Sequence, residues 1–310
     1  MREEINSASL SEAKASYCEK DNMALIKNIL YPVDFSPSCV AMAAYVKRAS
    51  LVLNAKVSLV HVFDPASYNG FELYLRPISE ISEEHHSVAR ERLDSFLTAE
   101  FPVAECPRIL ASGDAATMIA QVARETGTDL IIMPTHAGYF RQMLLGSTTA
   151  KVLNDADCPV LTSRHAQTIA PKPLEHREWL CAIGLSSSSE KVLRFASQVA
   201  TEARAKLSII HAVQSGASEL PIALDLEEQV HSVERQEANR RIAELQRTVG
   251  SEAPVHIAVG SVKEALLESA RRADADVLMI GRHPRPGAHG RMRDLTYAMV
   301  RDSPFPVLSI

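Results

Sequence analysis

The chain repeats itself, and that constrains its fold more than any local motif. Ala55-Lys56-Val57-Ser58-Leu59-Val60-His61 returns as Ala205-Lys206-Leu207-Ser208-Ile209-Ile210-His211, an offset of 150 that also sets Leu30 on Leu180, Ser36 on Ser186 and Ser38 on Ser188. Further along the offset is 147. It pairs Gly113 with Gly260, Ala123-Arg124 with Ala270-Arg271, Asp129 with Asp276, His136 with His283, and Pro159-Val160-Leu161 with Pro306-Val307-Leu308. One such match could arise by chance, but an ordered series does not. The 310 residues therefore divide into two copies of one domain, 25–165 and 176–310. A linker at 166–175 carries Pro171 and Pro173, and residues 1–24 read as a polar extension.

Each copy alternates strand and helix patterns. In the first, Asn28–Asp34 is a short apolar strand. Ser36-Pro37 supplies a helix cap and a proline at the first helical position. Val40 to Leu53 follows at helical spacing, and Val57–Val62 is the next strand. After a loop at 64–78 containing Tyr68, Phe71 and Tyr74, the pattern predicts a helix over Ser79–Glu100 and a strand over Ala104–Ala111. Helix Ala115–Thr126, strand Asp129–Met133, helix Ser147–Asp155 and strand Pro159–Ser163 complete the copy. The second copy repeats this order and ends in a strand over Phe305–Ile310. Such alternation implies a parallel α/β sheet. Continuous apolar runs such as Leu130-Ile131-Ile132-Met133 suit strands covered on both faces. Ligands of such sheets sit beyond the carboxyl ends of the strands, which directs attention to the loops after Asp34, His61 and Pro134. His61 and His211, equivalent and at strand ends, read as caps for backbone groups there.

Composition removes several alternatives. Apolar residues make up 46% of the chain and aromatics 5%, which favours aliphatic sheets under helices over a disordered chain or a β-sandwich. A net charge of −5 argues against a general nucleic-acid binder, which needs a basic face. No apolar run reaches the length of a membrane span, and the first residues lack the apolar stretch of a secretory signal. The five cysteines include no C-x-x-C pair. They suggest a reducing, cytoplasmic setting, with Cys39, Cys106 and Cys158 as small buried hydrophobes. No H-E-x-x-H, Walker A lysine or nucleophile elbow is present, so turnover beyond weak ATP hydrolysis has no visible machinery.

The ordered pieces Ile29-Leu30-Tyr31-Pro32-Val33-Asp34-Phe35-Ser36, His61-Val62, Gly113-Asp114, Asp129-Leu130-Ile131-Ile132-Met133, Gly146-Ser147 and Asp157-Cys158-Pro159-Val160-Leu161 resemble the universal stress protein family. The resemblance covers both copies. It implies two tandem Rossmann-like (adenine nucleotide alpha hydrolase-like) domains, each with a five-stranded, mainly parallel sheet flanked by helices. In this family the last strand often pairs across a dimer interface. Two fused copies would thus form an internal pseudo-dimer, with a further homodimer open to the chain. Some members bind ATP through Gly-x2-Gly-x9-Gly-[Ser/Thr] after the fourth strand, with an Asp near the end of the first. Glycines admit the phosphates, and the free amides of a helix N-terminus hold them.

By that resemblance the first copy's nucleotide site is Val33, Asp34, Val62, Thr135, His136, Gly138, Gly146, Ser147 and Thr148, taking ATP or ADP, with Mg accompanying the nucleotide. The pattern is incomplete. Pro134 and Ala137 stand where the first two glycines belong, and eight residues separate Ala137 from Gly146. Proline has no N–H to offer a phosphate. His136, with its counterpart His283, reads as a hydrogen-bonded loop histidine, and Arg141 as a solvated charge.

The second copy keeps Gly281 but replaces Asp34 by Gly184, Ser147 by Asp294 and the later glycines by Pro284 and Arg293. No nucleotide is expected there. Its basic loop, 282–293, is either a solvated segment pairing with the other half or an anion site built on Arg282, Arg285 and Arg291. Two functions remain open. One is a stress-response module that binds adenine nucleotide in its first half and acts through conformation and an unknown protein partner. The other is an interaction scaffold with both pockets degenerate.

Overall fold

The computed structural model describes residues 24–64, 78–135, 145–163, 177–214, 224–282 and 294–310. Among these residues ten strands form one sheet. In the first half β1 (Asn28–Pro32), β2 (Lys56–Phe63), β3 (Arg108–Ser112), β4 (Leu130–Pro134) and β5 (Val160–Ser163) alternate with α1 (Pro37–Leu53), α2 (Ile78–Ser95), α3 (Ala115–Glu125) and α4 (Ser147–Asp155). The second half repeats the order. Its strands are β6 (Glu178–Ala182), β7 (Lys206–Gln214), β8 (Val255–Gly260), β9 (Val277–Ile280) and β10 (Val307–Ser309). Its helices are α5 (Ser189–Glu202), α6 (Leu224–Val249), α7 (Val262–Arg272) and α8 (Asp294–Asp302).

The sheet runs β3-β2-β1-β4-β5-β10-β9-β6-β7-β8. Pairing is parallel within each half and antiparallel only between β5 and β10, where Val160, Leu161 and Thr162 face Ser309, Leu308 and Val307. The two five-stranded sheets thus close their inner edges on each other as the resemblance implied. Side chains alternate between faces along each strand. Ile29, Tyr31, Leu130 and Ile132 enter one core with α1 and α5. Leu30, Ile131, Met133 and Val160 enter the other with α3, α4, α7 and α8. Each core contains residues of both halves. At the seam Leu161 and Leu308 are 6% and 3% exposed, and burying each contributes about 1.5–3 kcal/mol.

The duplication extends to backbone strain. Phe35 and Leu185 have φ of 63° and 52°, Asn54 and Arg204 of 50° and 52°, and Gly113 and Gly260 of 136° and 138°. Two expected boundaries are corrected. The helix predicted to Glu100 ends at Ser95, with Leu97 left-handed at φ 52°. The third strand begins at Arg108, not Ala104, because the Glu105 and Cys106 N–H groups both turn back onto the Pro102 carbonyl and Pro107 has no N–H for a ladder. The linker at 166–175, and Tyr68, Phe71 and Tyr74, lie outside the described residues. No described helix is long and apolar enough to cross a membrane.

Candidate functional site

β1 lies between β2 and β4, so the strand order reverses there, and the carboxyl ends of β1 and β4 are where sheets of this kind bind ligands. Val33 and Asp34 follow β1. Val33 is buried, and its N–H continues the ladder onto the Val60 carbonyl at 2.8 Å. Asp34 is exposed, and its Oδ1 accepts from the Ser36 N–H at 3.0 Å and the Cys39 thiol at 3.1 Å. Those contacts hold the carboxylate at the carboxyl end of β1. The left-handed turn at Phe35 then lets α1 start, with the Ser36 hydroxyl capping the Cys39 N–H at 3.3 Å and Pro37 at the first helical position.

Phe35 belongs to a cluster the residue pattern did not disclose. Its ring lies 4.3 Å from that of His61 and 5.1 Å from that of Phe96, with the Arg92 guanidinium 4.4 Å above it. His61, beside Val62 on β2, hydrogen-bonds through Nδ1 to the Val33 carbonyl at 2.8 Å, and His211 does the same to Ile183 at 2.7 Å. Both histidines cap strand ends as expected. Burial is the main cause holding the His61 pKa below its usual value, against the Val33 carbonyl and Asp34. Neutral His61 donates from Nδ1.

Beyond β4, Thr135 is 7% exposed and its N–H reaches the Ser163 carbonyl at 3.1 Å. Its hydroxyl is buried without a partner among the described residues, a costly state that a polar ligand would relieve. Gly146 is the cap residue of α4 and makes no side-chain cap bond. Ser147 is exposed and Thr148 half-buried, and among the described residues no side chain caps this helix start. Thr149 escaped the pattern. It is 1% exposed, and its hydroxyl donates to the Pro134 carbonyl at 3.4 Å, fastening the first turn of α4 to the end of β4. His136 and Gly138 lie outside the described residues. Among the described residues no group of three His, Cys, Asp or Glu could hold a metal ion. A divalent cation would find Asp34 alone and would have to arrive with nucleotide phosphates.

The second half is built differently at the equivalent positions. Gly184 follows β6 with open space around it. Gly281 serves packing: a Cβ there would stand 3.0 Å from the Val192 side chain of α5. Arg282, equivalent to Thr135, is withdrawn from the expected anion site. Its two terminal nitrogens donate to the carbonyls of Leu153 and Cys158 in the other half, both at 2.5 Å. The fork is therefore committed to the last turn of α4 and the turn after it, where a cation also suits the helix dipole. Burial holds its pKa below the usual range. Arg285 and Arg291 lie outside the described residues.

Comparison with known proteins accords with this architecture. The Universal stress protein family profile matches residues 25–164 and again 176–310. A universal stress protein A homolog of Coxiella burnetii is 30% identical over 124 residues, 38% of this chain and 81% of that protein. A universal stress protein of Thermus aquaticus is 30% identical over 142 residues, 45% of this chain and all of that protein. A crystal structure of an Archaeoglobus fulgidus universal stress protein superposes over 91% of this chain and 97% of its own with a TM-score of 0.64 and 21% identity, a likeness of fold. The chain belongs to the universal stress protein family, whose domain it carries twice.

Proposed function

We propose that the first half binds an adenine nucleotide, ATP or ADP, and that the chain acts in stress response through conformation and partner contacts. Supporting this is the union of two unspent groups at one strand end: the orphan Thr135 hydroxyl and the open N-terminus of α4, held together by Thr149. Phosphates would lie on the Gly146–Thr148 amides and the Ser147 hydroxyl. The nucleoside would lie between Val33, Asp34 and Val62, with His136 and Gly138 completing the loop. In the second half Gly184 and Asp294 remove the carboxylate and put a negative charge at the helix N-terminus, which repels phosphate. Residues 25–165 and 176–310 would thus be a binding domain and a degenerate partner domain.

The test is to denature protein purified without added nucleotide and resolve what it releases by anion exchange, then to titrate ATP and ADP. Bound adenine nucleotide, or a thermal shift with either, is expected. Ser147→Ala should weaken binding about tenfold or more, the loss of one hydrogen bond to a charged group. An intact protein that releases nothing and shows no shift would instead be the scaffold with two degenerate pockets.

A further inference from the structure

The duplicated helices α1 and α5 differ on one face. Cys39, Met42, Ala43 and Val46 of α1 are buried, as are Ser189, Val192, Leu193 and Ala196 at the equivalent positions of α5. Both helices therefore lie on the sheet in the same orientation. The outer face of α5 is polar: exposed Glu190 and Arg194 pair at 2.7 Å, and exposed Thr201 follows. Their counterparts on α1, at the offset of 150, are Val40, Ala44 and Leu51. All three are exposed, Val40 by 51% and Leu51 by 67%. α1 carries no Asp or Glu, and its charged residues are Lys47 and Arg48 alone.

Single exposed apolar residues need no partner, but these are aligned. At 100° per residue Val40, Ala44, Lys47 and Leu51 fall within about 60° of one another. They form a stripe with spacings of four, three and four residues, an order that reads the same from either end. A second α1, turned end over end by a two-fold axis at the midpoint of the stripe, lays Val40 on the partner's Leu51 and Ala44 on the partner's Lys47, twice over. Such self-complementarity is what an isologous contact requires. Ala44 is small enough to let two helices approach closely. Lys47 need not hold its charge in the seam, because its Nζ already lies 6.0 Å from the Phe101 ring of its own chain and leaves its apolar stem on the stripe.

We infer that the outer face of α1 is a docking surface for a second copy of this chain, the two α1 helices packing antiparallel. With 17 residues, α1 is about 25 Å long and 10 Å across. One such helix pair covers less than the about 1,200 Å² of a standard interface, so the two copies associate reversibly as concentration rises.

Sedimentation velocity of the full chain across about 1–300 µM should show a monomer–dimer equilibrium. Val40→Glu and Leu51→Lys, each alone, should weaken it about tenfold or more, as apolar contacts are lost. The double variant Val40→Glu/Leu51→Lys should regain most of that loss, because the antiparallel register sets each carboxylate against an ammonium of the other copy. Within one chain the two positions are about 16 Å apart along the helix, too far to pair. Lys47→Leu, which completes the apolar stripe, should tighten the pair. All these side chains lie on the outer face, so circular dichroism should stay native throughout. A monomer over the whole range would overturn the inference and leave the face to a different protein. So would a dimer indifferent to Val40→Glu, single losses that the double variant fails to restore, or a weaker pair in Lys47→Leu. Nucleotide binding enters none of these readouts.

Discussion

Replacing Arg282 tests whether the two halves depend on each other. The guanidinium makes two charge-assisted bonds, to the Leu153 and Cys158 carbonyls across the seam. Hydrogen bonds to charged groups contribute about 1.5–3 kcal/mol each, so the pair supplies about 3–6 kcal/mol. Arg282→Ala also removes a buried cation whose Nε has no partner among the described residues, and that relief returns part of the loss. A net cost of about 2–4 kcal/mol remains. At about 2 °C per kcal/mol for a chain this long, the unfolding midpoint should fall by about 4–8 °C. Arg282→Lys should recover less than half, since an ammonium cannot bridge two carbonyls as a planar fork does. Thermal and urea unfolding of the three proteins decide the matter. A loss below about 1 kcal/mol, or full rescue by lysine, would refute the bridging role and return Arg282 to the candidate anion site.

Two further outcomes rest on ionisation. The His61 pKa is depressed in the fold relative to an unfolded value of about 6.5. Its share of stability is therefore complete above that pH and is lost as pH falls through the folded value. Melts between pH 7.5 and 5 should show this acid loss, and His61→Gln should flatten it. The Asp114 pKa is lowered to about 2, first by the Thr117 N–H, then by the Thr117 hydroxyl, and only third by Lys151. Its stabilisation is present above about pH 3.9 and lost as pH falls toward 2. Asp114→Ala should cost about 1 kcal/mol as a lost helix cap. Lys151→Ala, removing an exposed 3.0 Å pair, should cost less than about 0.5 kcal/mol and leave most of the pKa depression in an NMR titration.

Much of the scaffold was legible because its signals are local or repeated. Ser36-Pro37 announces the start of α1 through its own side chains, and the Ser36 cap forms. His61 and His211 were readable as caps because the duplication gave two examples of one job. Legibility failed where the deciding partner is remote in sequence. The strand expected from Ala104 is instead a turn on the Pro102 carbonyl, since apolar Val103 and Ala104 carry no mark of that bond. Phe35 carries no mark of a left-handed turn in the sequence, yet the fold holds it so against His61 and Arg92. Arg282 was visible as a charge but not as a bridge, because its acceptors stand 129 and 124 residues away. At the candidate site, Asp34, Gly146 and Ser147 came from a motif. Thr149 did not, since a threonine that pins a helix to a strand looks like any other threonine in the first turn.

The contrast between the halves resides in side chains laid on one backbone. The left-handed Phe35 and Asn54 recur in register as Leu185 and Arg204, and the Thr135 and Arg282 N–H groups make the same bond, to Ser163 and Ile310 at 3.1 and 2.6 Å. At that shared position the first copy keeps a short hydroxyl with no partner among the described residues, while the second spends a guanidinium on the neighbouring half. Both choices bear on α4. Thr149 fastens its first turn to the strand end that carries Thr135, and Arg282 holds its last turn. One nine-residue helix therefore connects the candidate anion-binding end of the first domain to a fixed point in the second. Duplication permits this division: with two copies of one strand end, the second can serve as a brace while the first leaves its hydroxyl for the candidate site.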